Sequence, residues 1–210
     1  MIKILVADDH AVVRRGLKQI VADEPDMAVL GEAQTAQETL DLVRKEDWDV
    51  VVLDISMPGR GGVDVLKELR QTRPGIAVLI LSMHPEDQFA VRCLKAGAAG
   101  YMTKESASEE LVAAIRKVVG GGKYVSQSLA EKLACGLERD AEGPLHQSLS
   151  DREYQVLCLI ASGKTVNEIA GELSLSIKTI STYRARILEK MEMRTNAKLI
   201  RYAIENRLVD

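Results

Sequence analysis

Five positions with reactive side chains stand at the ends of apolar runs. The acid pair Asp8-Asp9 follows "IKILVA", Asp54 follows "VVVL", Ser82 closes "AVLILS", and Lys104 comes directly after "AGYMT". A carboxylate that ends a buried run needs water or a cation, because an unpaired charge is costly to hide. Acids brought together raise one another's pKa unless a cation sits among them. A hard ion with oxygen ligands suits such a cluster, and Mg2+ suits one of few protein ligands completed by water and phosphate oxygens. On that reading Asp54 is a nucleophile beside a metal. The Ser82 hydroxyl and the Lys104 ammonium are then left to receive an anion rather than to neutralise the acids. Each residue alone reads equally well as an ordinary polar strand end or a surface ion pair; only the combination argues for a site. His10 looks like a ligand beside the acid pair, but a loop position there suits a partly exposed, structural histidine.

For these groups to meet, the runs that carry them must be parallel strands. "IKILVA" (2–7), "AVLGEA" (28–33), "DVVVLD" (49–54), "AVLILS" (77–82) and "AGYMT" (99–103) are short and β-rich. They alternate with amphipathic stretches such as "ETLDLVRKE", which sets Leu40, Leu42 and Val43 against charges. Repeated βα units of this kind predict an α/β domain: a doubly wound parallel sheet covered on both faces, with right-handed crossovers. The C-terminal ends of all its strands share one edge, the ligand-binding edge of open α/β sheets, so Asp8, Asp9, Asp54, Ser82 and Lys104 converge there.

Beyond "GGGKY" (120–124) the pattern changes. "SQSLAEKLACGLE" (126–138) reads as an isolated helix capped by a serine, and "RDAEGPLHQS" (139–148) as a flexible linker broken by Gly-Pro. Four helix-period segments follow with no strand between them, which predicts a small all-helical domain. In "TVNEIAGELSLSIKTISTYRARILEKM", Ile169, Ala170 and Leu173 give the first helix an apolar face, "LSLS" turns the chain, and Ser176 caps the next helix. That helix gathers Ile180, Tyr183, Ile187, Leu188 and Met191 on one side and Lys178, Ser181, Thr182, Ala185 and Arg186 on the other. Short polar, small and basic side chains are what a helix must present to enter a major groove, although a solvated helical hairpin has the same look.

Taken together, Asp8-Asp9, "LDISMPGRGG" with Asp54, "LILS" with Ser82 and "GYMTK" with Lys104 resemble the receiver domain of a two-component response regulator. "LSDREYQVLCLIASGKTVNEIA" with "LSLSIKTISTYRARILEKM" is similar to the LuxR-type DNA-binding domain, and the pairing resembles the NarL/FixJ subfamily. The resemblance implies a flavodoxin-like five-stranded receiver over 1–120, a helix and linker over 121–148, and a four-helix helix-turn-helix domain over 149–210. It implies that Asp54 takes a phosphoryl group from a sensor histidine kinase. Asp9, Asp54 and the backbone carbonyl of Ser56 would hold Mg2+ in a pocket shaped by Asp8. Ser82 and Lys104 would contact the phosphoryl oxygens, and Tyr101 would rotate inward as Ser82 moves. Lys178, Thr179, Ser181, Thr182, Tyr183 and Arg186 would face operator DNA. A homodimer when phosphorylated, contact with RNA polymerase and slow self-dephosphorylation are further implications. Two departures stand out: Met83 follows Ser82 where many receivers have a smaller side chain, and Ala185 replaces a basic residue found in some relatives. Glu153 in "SDRE" is expected to be structural, bonding a buried backbone group or Arg184.

Composition agrees with two unlike halves. A chain of 210 residues suits two ordinary domains. Residues 1–120 carry 19 acids against 15 bases, and residues 149–210 carry 8 against 10, so the halves are expected to meet different partners. Cys93, Cys135 and Cys158 are scattered, which suggests neither a disulfide framework nor a zinc site. No export signal or membrane-length apolar run is present, so a soluble, cytoplasmic protein is expected. Two rival readings remain at this level. One is a Mg2+-dependent phosphohydrolase with Asp54 as nucleophile, weakened by Ser56 where such enzymes place a second acid. The other is DNA binding independent of phosphate.

Overall fold

The computed structural model describes residues 1–210 except 58–59, 84–85, 128, 132–143, 207 and 210. The chain divides into two compact units, Met1–Glu131 and Lys132–Asp210. Cys135 and most of the helix expected over 126–138 lie outside the described residues, as do positions 139–143 of the expected linker. The start of that helix is described: Ser126 accepts from the Leu129 N–H through its side chain at 3.2 Å and from the Ala130 N–H through its carbonyl at 3.0 Å.

In the first unit the five apolar runs are strands β1 (Ile2–Ala7), β2 (Met27–Ala33), β3 (Val50–Asp54), β4 (Ala77–Ser82) and β5 (Gly100–Thr103). They alternate with α1 (Ala11–Ala22), α2 (Ala36–Lys45), α3 (Gly62–Thr72), α4 (Glu86–Lys95) and α5 (Ala107–Val119). The sheet is parallel throughout, in the order β2-β1-β3-β4-β5. The order reverses between β1 and β3, the strands that end in Asp8-Asp9 and Asp54, and a reversal opens a crevice at the carboxyl edge. Every residue of β3 is buried, as its unbroken apolar run requires. Ile4, Val6, Val50, Val52, Leu79, Leu81 and Met102 point to one face and pack with Leu17 and Val21 of α1 and with Leu111, Ala114, Ile115 and Val118 of α5. Their alternates Leu5, Val51, Leu53 and Ile80 are buried on the other face. Burial of each such side chain stabilises the fold by about 1.5 to 3 kcal/mol. This core holds the strand ends, and hence the acids, in fixed register.

The second unit opens with a short 3-10 turn, Leu145–Ser148, followed by α6 (Asp151–Ala161), α7 (Val166–Glu172), α8 (Ile177–Lys190) and α9 (Asn196–Glu205). These are the four expected helices, and no strand lies among the described residues of this unit. Each helix starts on a hydroxyl that accepts a backbone N–H: Ser150, Thr165, Ser176 and Thr195. Ser150 with Glu153 and Thr165 with Glu168 form complete capping boxes. Between α7 and α8 the chain reverses through Ser174 at φ 50, where the Leu175 N–H donates to the Ala170 carbonyl at 2.9 Å. The 3-10 turn is not free linker. His146 donates its backbone N–H to the Tyr202 hydroxyl at 3.4 Å, and its Nδ1 lies 3.0 Å from the same oxygen.

Candidate functional site

Asp8, Asp9 and Asp54 meet at the carboxyl edge. The Asp54 carboxylate is buried at the tip of β3 with 1% of the residue exposed, and its Oδ1 accepts the Ser56 N–H at 2.8 Å. The glycine-rich turn makes room for this. A Cβ on Gly62 would lie 2.4 Å from Ile55 Cα and 2.6 Å from the Asp54 carbonyl, so only glycine lets α3 begin this close to the strand end. Asp8 is equally buried, and its Oδ1 accepts the His10 N–H at 2.8 Å.

Lys104 reaches across the sheet to both acids, with Nζ 2.8 Å from Asp54 Oδ2 and 2.7 Å from Asp8 Oδ2. This corrects one expectation. Lys104 neutralises the acids in this state instead of standing free for an anion. The pairing leaves clear marks on both partners. Burial raises the Asp54 pKa above its ordinary value, opposed only in part by Lys104. Burial would lower Lys104, but the charges of Asp54 and Asp8 outweigh it and hold the ammonium protonated. Lys104 also ties its strand to the next, donating its backbone N–H to the Ser82 carbonyl at 2.8 Å.

The donor set fits a hard divalent cation. Ligand atoms of Asp8, Asp9, His10 and Asp54 all lie within 4.8 Å of one another. Asp8 Oδ2 and Asp9 Oδ1 are buried yet accept no well-aligned hydrogen bond, although Lys104 and His10 stand close to them. Buried carboxylate oxygens in that condition are natural ligands for a metal. The Ser56 hydroxyl oxygen is likewise buried without a hydrogen bond. His10 is 62% exposed and heads α1, with Nδ1 2.9 Å from Asp9 Oδ1. It therefore combines the structural position expected of it with a nitrogen turned toward the acids.

Arg14 does not stand out in the sequence. Its guanidinium is buried and donates to the Asp8 carbonyl at 2.7 Å, fixing the backbone behind the acid pair. The neighbouring Arg15 is exposed, and nothing in "VVRRGL" separates the two. The Tyr101 ring is fully buried, and its hydroxyl is hydrogen-bonded with Ser82. Burial pushes that phenol well above its ordinary range. Met83 is 66% exposed, so its side chain points to solvent.

In the second unit α8 presents the face anticipated for it. Lys178, Ser181, Thr182, Ala185 and Arg186 are exposed, whereas Ile180, Ile187 and Met191 are buried and Tyr183 and Leu188 are half-buried. Thr179 is half-buried at the cap, its N–H donating to Ser176 Oγ at 3.0 Å. Glu153 accepts the Ser150 N–H at 2.8 Å, as expected, but its cationic partner is Lys190 at 2.6 Å and not Arg184. Arg184 instead donates through Nε to Asn196 Oδ1 at 2.6 Å. Glu153 thus joins the start of α6 to the last turn of α8. Burial raises its pKa, but the bonds from Lys190 and Ser150 outweigh that and leave it lowered. Glu153→Ala is expected to cost about 2 kcal/mol in urea unfolding of the second unit. Because the folded-state pKa is depressed, this contribution is present above the ordinary Glu pKa and lost as pH falls through the lowered one. The difference between wild type and variant should therefore shrink in acid; an unchanged urea midpoint at pH 7 would refute the role.

A family described as response regulator receiver domain matches residues 4–116, and one described as bacterial regulatory proteins, luxR family, matches residues 147–203. The chain belongs to the response regulators. Response regulator GacA of Pseudomonas aeruginosa is 40% identical over 211 residues, spanning 100% of this chain and 99% of its own. Response regulator UvrY of Escherichia coli K12 is 35% identical, spanning 99% of this chain and 96% of its own. A solved structure of the RcsB response regulator of Salmonella typhimurium superposes with a TM-score of 0.71 at 26% identity, covering 98% of both chains. Another, RcsB of Salmonella enterica serovar Typhimurium bound to a promoter with the phosphomimetic BeF3−, gives a TM-score of 0.65 at 27% identity over 96% of this chain and 98% of that one. This response regulator is accordingly a phosphorylation-controlled, DNA-binding transcriptional regulator of the two-component class, not a classical enzyme. Among its described residues, no helix is long and apolar enough to cross a membrane.

Proposed function

We propose that Asp54 is the phosphoacceptor and that α8 reads operator DNA. The observation that carries this reading is a carboxylate buried at the tip of β3, 2.8 Å from a lysine that is shared with Asp8. An Asp54 oxygen attacks the phosphorus of a phosphohistidine on a sensor kinase. The new P–O bond forms as the P–N bond breaks, and the imidazole leaves with a proton. Lys104, already protonated and within reach, turns from the carboxylates to a phosphoryl oxygen, and Ser82 offers its hydroxyl to another. Asp9, Asp54 and the Ser56 backbone carbonyl would hold Mg2+, with Asp8 shaping the pocket. When bound, the metal supplies charge neutralisation for the phosphoryl oxygens. Ser56, two residues after the nucleophile, cannot act as a carboxylate base toward water, which supports slow self-dephosphorylation over the phosphohydrolase reading.

On α8, Lys178 and Arg186 would contact phosphates, while Ser181 and Thr182 would approach base edges, with Thr179 and Tyr183 beside them. A homodimer would place two such helices on half-sites about one DNA turn apart. RcsB has been solved as two dimers bound to two parallel DNAs, which supports this arrangement. A cytoplasmic location, where DNA and a kinase's phosphohistidine are both accessible, and contact with RNA polymerase complete the proposal.

The experiment adds acetyl phosphate and Mg2+ to the full chain and measures sedimentation and binding to genomic DNA fragments on the same samples. Phosphodonor should raise both self-association and affinity, and Ser82→Ala should weaken the response while leaving uptake of phosphate intact. Affinity that rises with no change in mass, even on DNA, would remove the dimer step. Affinity that ignores the donor would favour phosphate-independent binding.

A further inference from the structure

The chain does not leave the first unit freely after α5. Gly122 caps that helix, its N–H donating to the Lys117 carbonyl at 3.0 Å, and the chain then turns back onto the exposed edge of β5. There the Tyr124 N–H donates to the Ala99 carbonyl at 2.9 Å, and the Tyr124 carbonyl accepts the Tyr101 N–H at 3.0 Å. Gly100 and Tyr124 form a parallel bridge, so residue 124 occupies the place of a sixth strand. Lys123 adds a bond from Nζ to the Ala98 carbonyl at 2.6 Å. The approach is close enough to require glycine: a Cβ on Gly100 would meet the Tyr124 carbonyl oxygen at 2.7 Å and Tyr124 Cβ at 2.8 Å.

Side chains extend this strap to both flanking helices. The Tyr124 hydroxyl donates to Glu110 Oε2 of α5 at 2.8 Å, and the Ser126 hydroxyl donates to the Glu86 carboxylate at the first residue of α4. The strap therefore ties together α4, β5 and α5, and it shares a backbone hydrogen bond with Tyr101. On the opposite side of that residue, the Tyr101 hydroxyl meets Ser82 in the phosphoryl pocket. Glu86 follows Ser82 by only four positions, so the latch on α4 lies close in sequence to the phosphoryl pocket.

We propose that residues 122–126 are a phosphorylation-sensitive exit strap, latched by Ser126 on Glu86, which loosens when Ser82 moves toward the phosphorylated Asp54 and so frees the chain that leads to the DNA-binding unit. The inference rests on Asp54 as acceptor. It adds a specified contact to a stretch that the sequence presents as the end of one helix and the start of another.

Amide hydrogen exchange of the full chain tests it, with the mass of the intact protein reporting phosphate occupancy. In samples that carry one phosphate, exchange at Tyr124 and Tyr101 should rise by about tenfold or more relative to untreated protein. Ser126→Ala should raise exchange at both amides without phosphodonor and raise the DNA affinity of the unphosphorylated chain, while Ser126→Thr, which keeps the hydroxyl, should behave as wild type. Unchanged or slower strap exchange in protein whose mass shows the phosphate would overturn the strap and leave the acceptor standing. Loosened exchange in Ser126→Ala with wild-type DNA affinity would overturn the coupling. No added mass at all would overturn the acceptor assignment and the strap with it.

Discussion

Asp54→Asn should take up phosphate from acetyl phosphate and Mg2+ at least about a thousandfold more slowly than the wild-type chain, which is expected to gain one base-labile phosphate. The amide has the shape of the carboxylate but no anionic oxygen to attack phosphorus, and neither Asp8 nor Asp9 lies at the tip of β3 to replace it. The same substitution should stabilise the first unit. Burial holds the Asp54 pKa above its ordinary value, so the folded state binds the proton more tightly than the unfolded one and stability falls as the carboxyl ionises. Removing the charge does not strand Lys104, which keeps Asp8 at 2.7 Å. Asp54→Asn should therefore be more stable by about 1 kcal/mol at pH 8, and the gap should close as pH falls below the ordinary carboxylate value, where Asp54 is neutral in both states. Thermal melts from pH 4 to 8 read this directly. Wild-type labelling of the variant would end the acceptor assignment, and a melting point lower at pH 8 than at pH 4 relative to wild type would show that the Lys104 pair outweighs the cost of burial.

Much of this site is legible in the sequence because strand ends are legible. An apolar run that stops on Asp54 or Ser82 fixes both the element and the edge at which it ends, and parallel pairing does the rest. The contacts made by long side chains are not so constrained. Lys104 follows β5 as its place in the sequence predicts, yet whether its ammonium turns to acids or waits for an anion depends on burial and on Asp8, separated from it by most of the domain. Glu153 shows the same limit. Its cap to Ser150 is local and follows from "SDRE", whereas its choice of Lys190 over Arg184 is set by how α6 crosses α8. Tyr101 can be assigned to the correct face but not to a rotamer, and the strap over Gly100 shows in the sequence only as a glycine and a tyrosine.

The exposed face of α8 should separate by kind of contact. Lys178→Ala or Arg186→Ala, each removing an exposed cation, should, where that cation meets a DNA phosphate, weaken binding to all DNA alike and lower the salt slope by about one for each phosphate no longer neutralised. Ser181→Ala and Thr182→Ala should act differently, because short side chains at the centre of the face can approach base edges only where Ala185 beside them leaves room. Thr182 is particular in this respect. Its hydroxyl donates to the Lys178 carbonyl one turn back at 2.9 Å, so the proton is committed within the helix and the oxygen is left to accept from a base amino group or the methyl to pack on thymine. Thr182→Ser keeps the acceptor and loses the methyl, while Thr182→Val keeps the methyl and loses the acceptor. If the oxygen reads a base, Val should cost about 1 to 3 kcal/mol of discrimination at one position and Ser little; if the methyl does, the order reverses. Selection of bound sequences from a randomised pool, with the salt slope measured for each variant, distinguishes these outcomes. Equal loss of specific and non-specific affinity in all of them would show that α8 meets only the phosphate backbone.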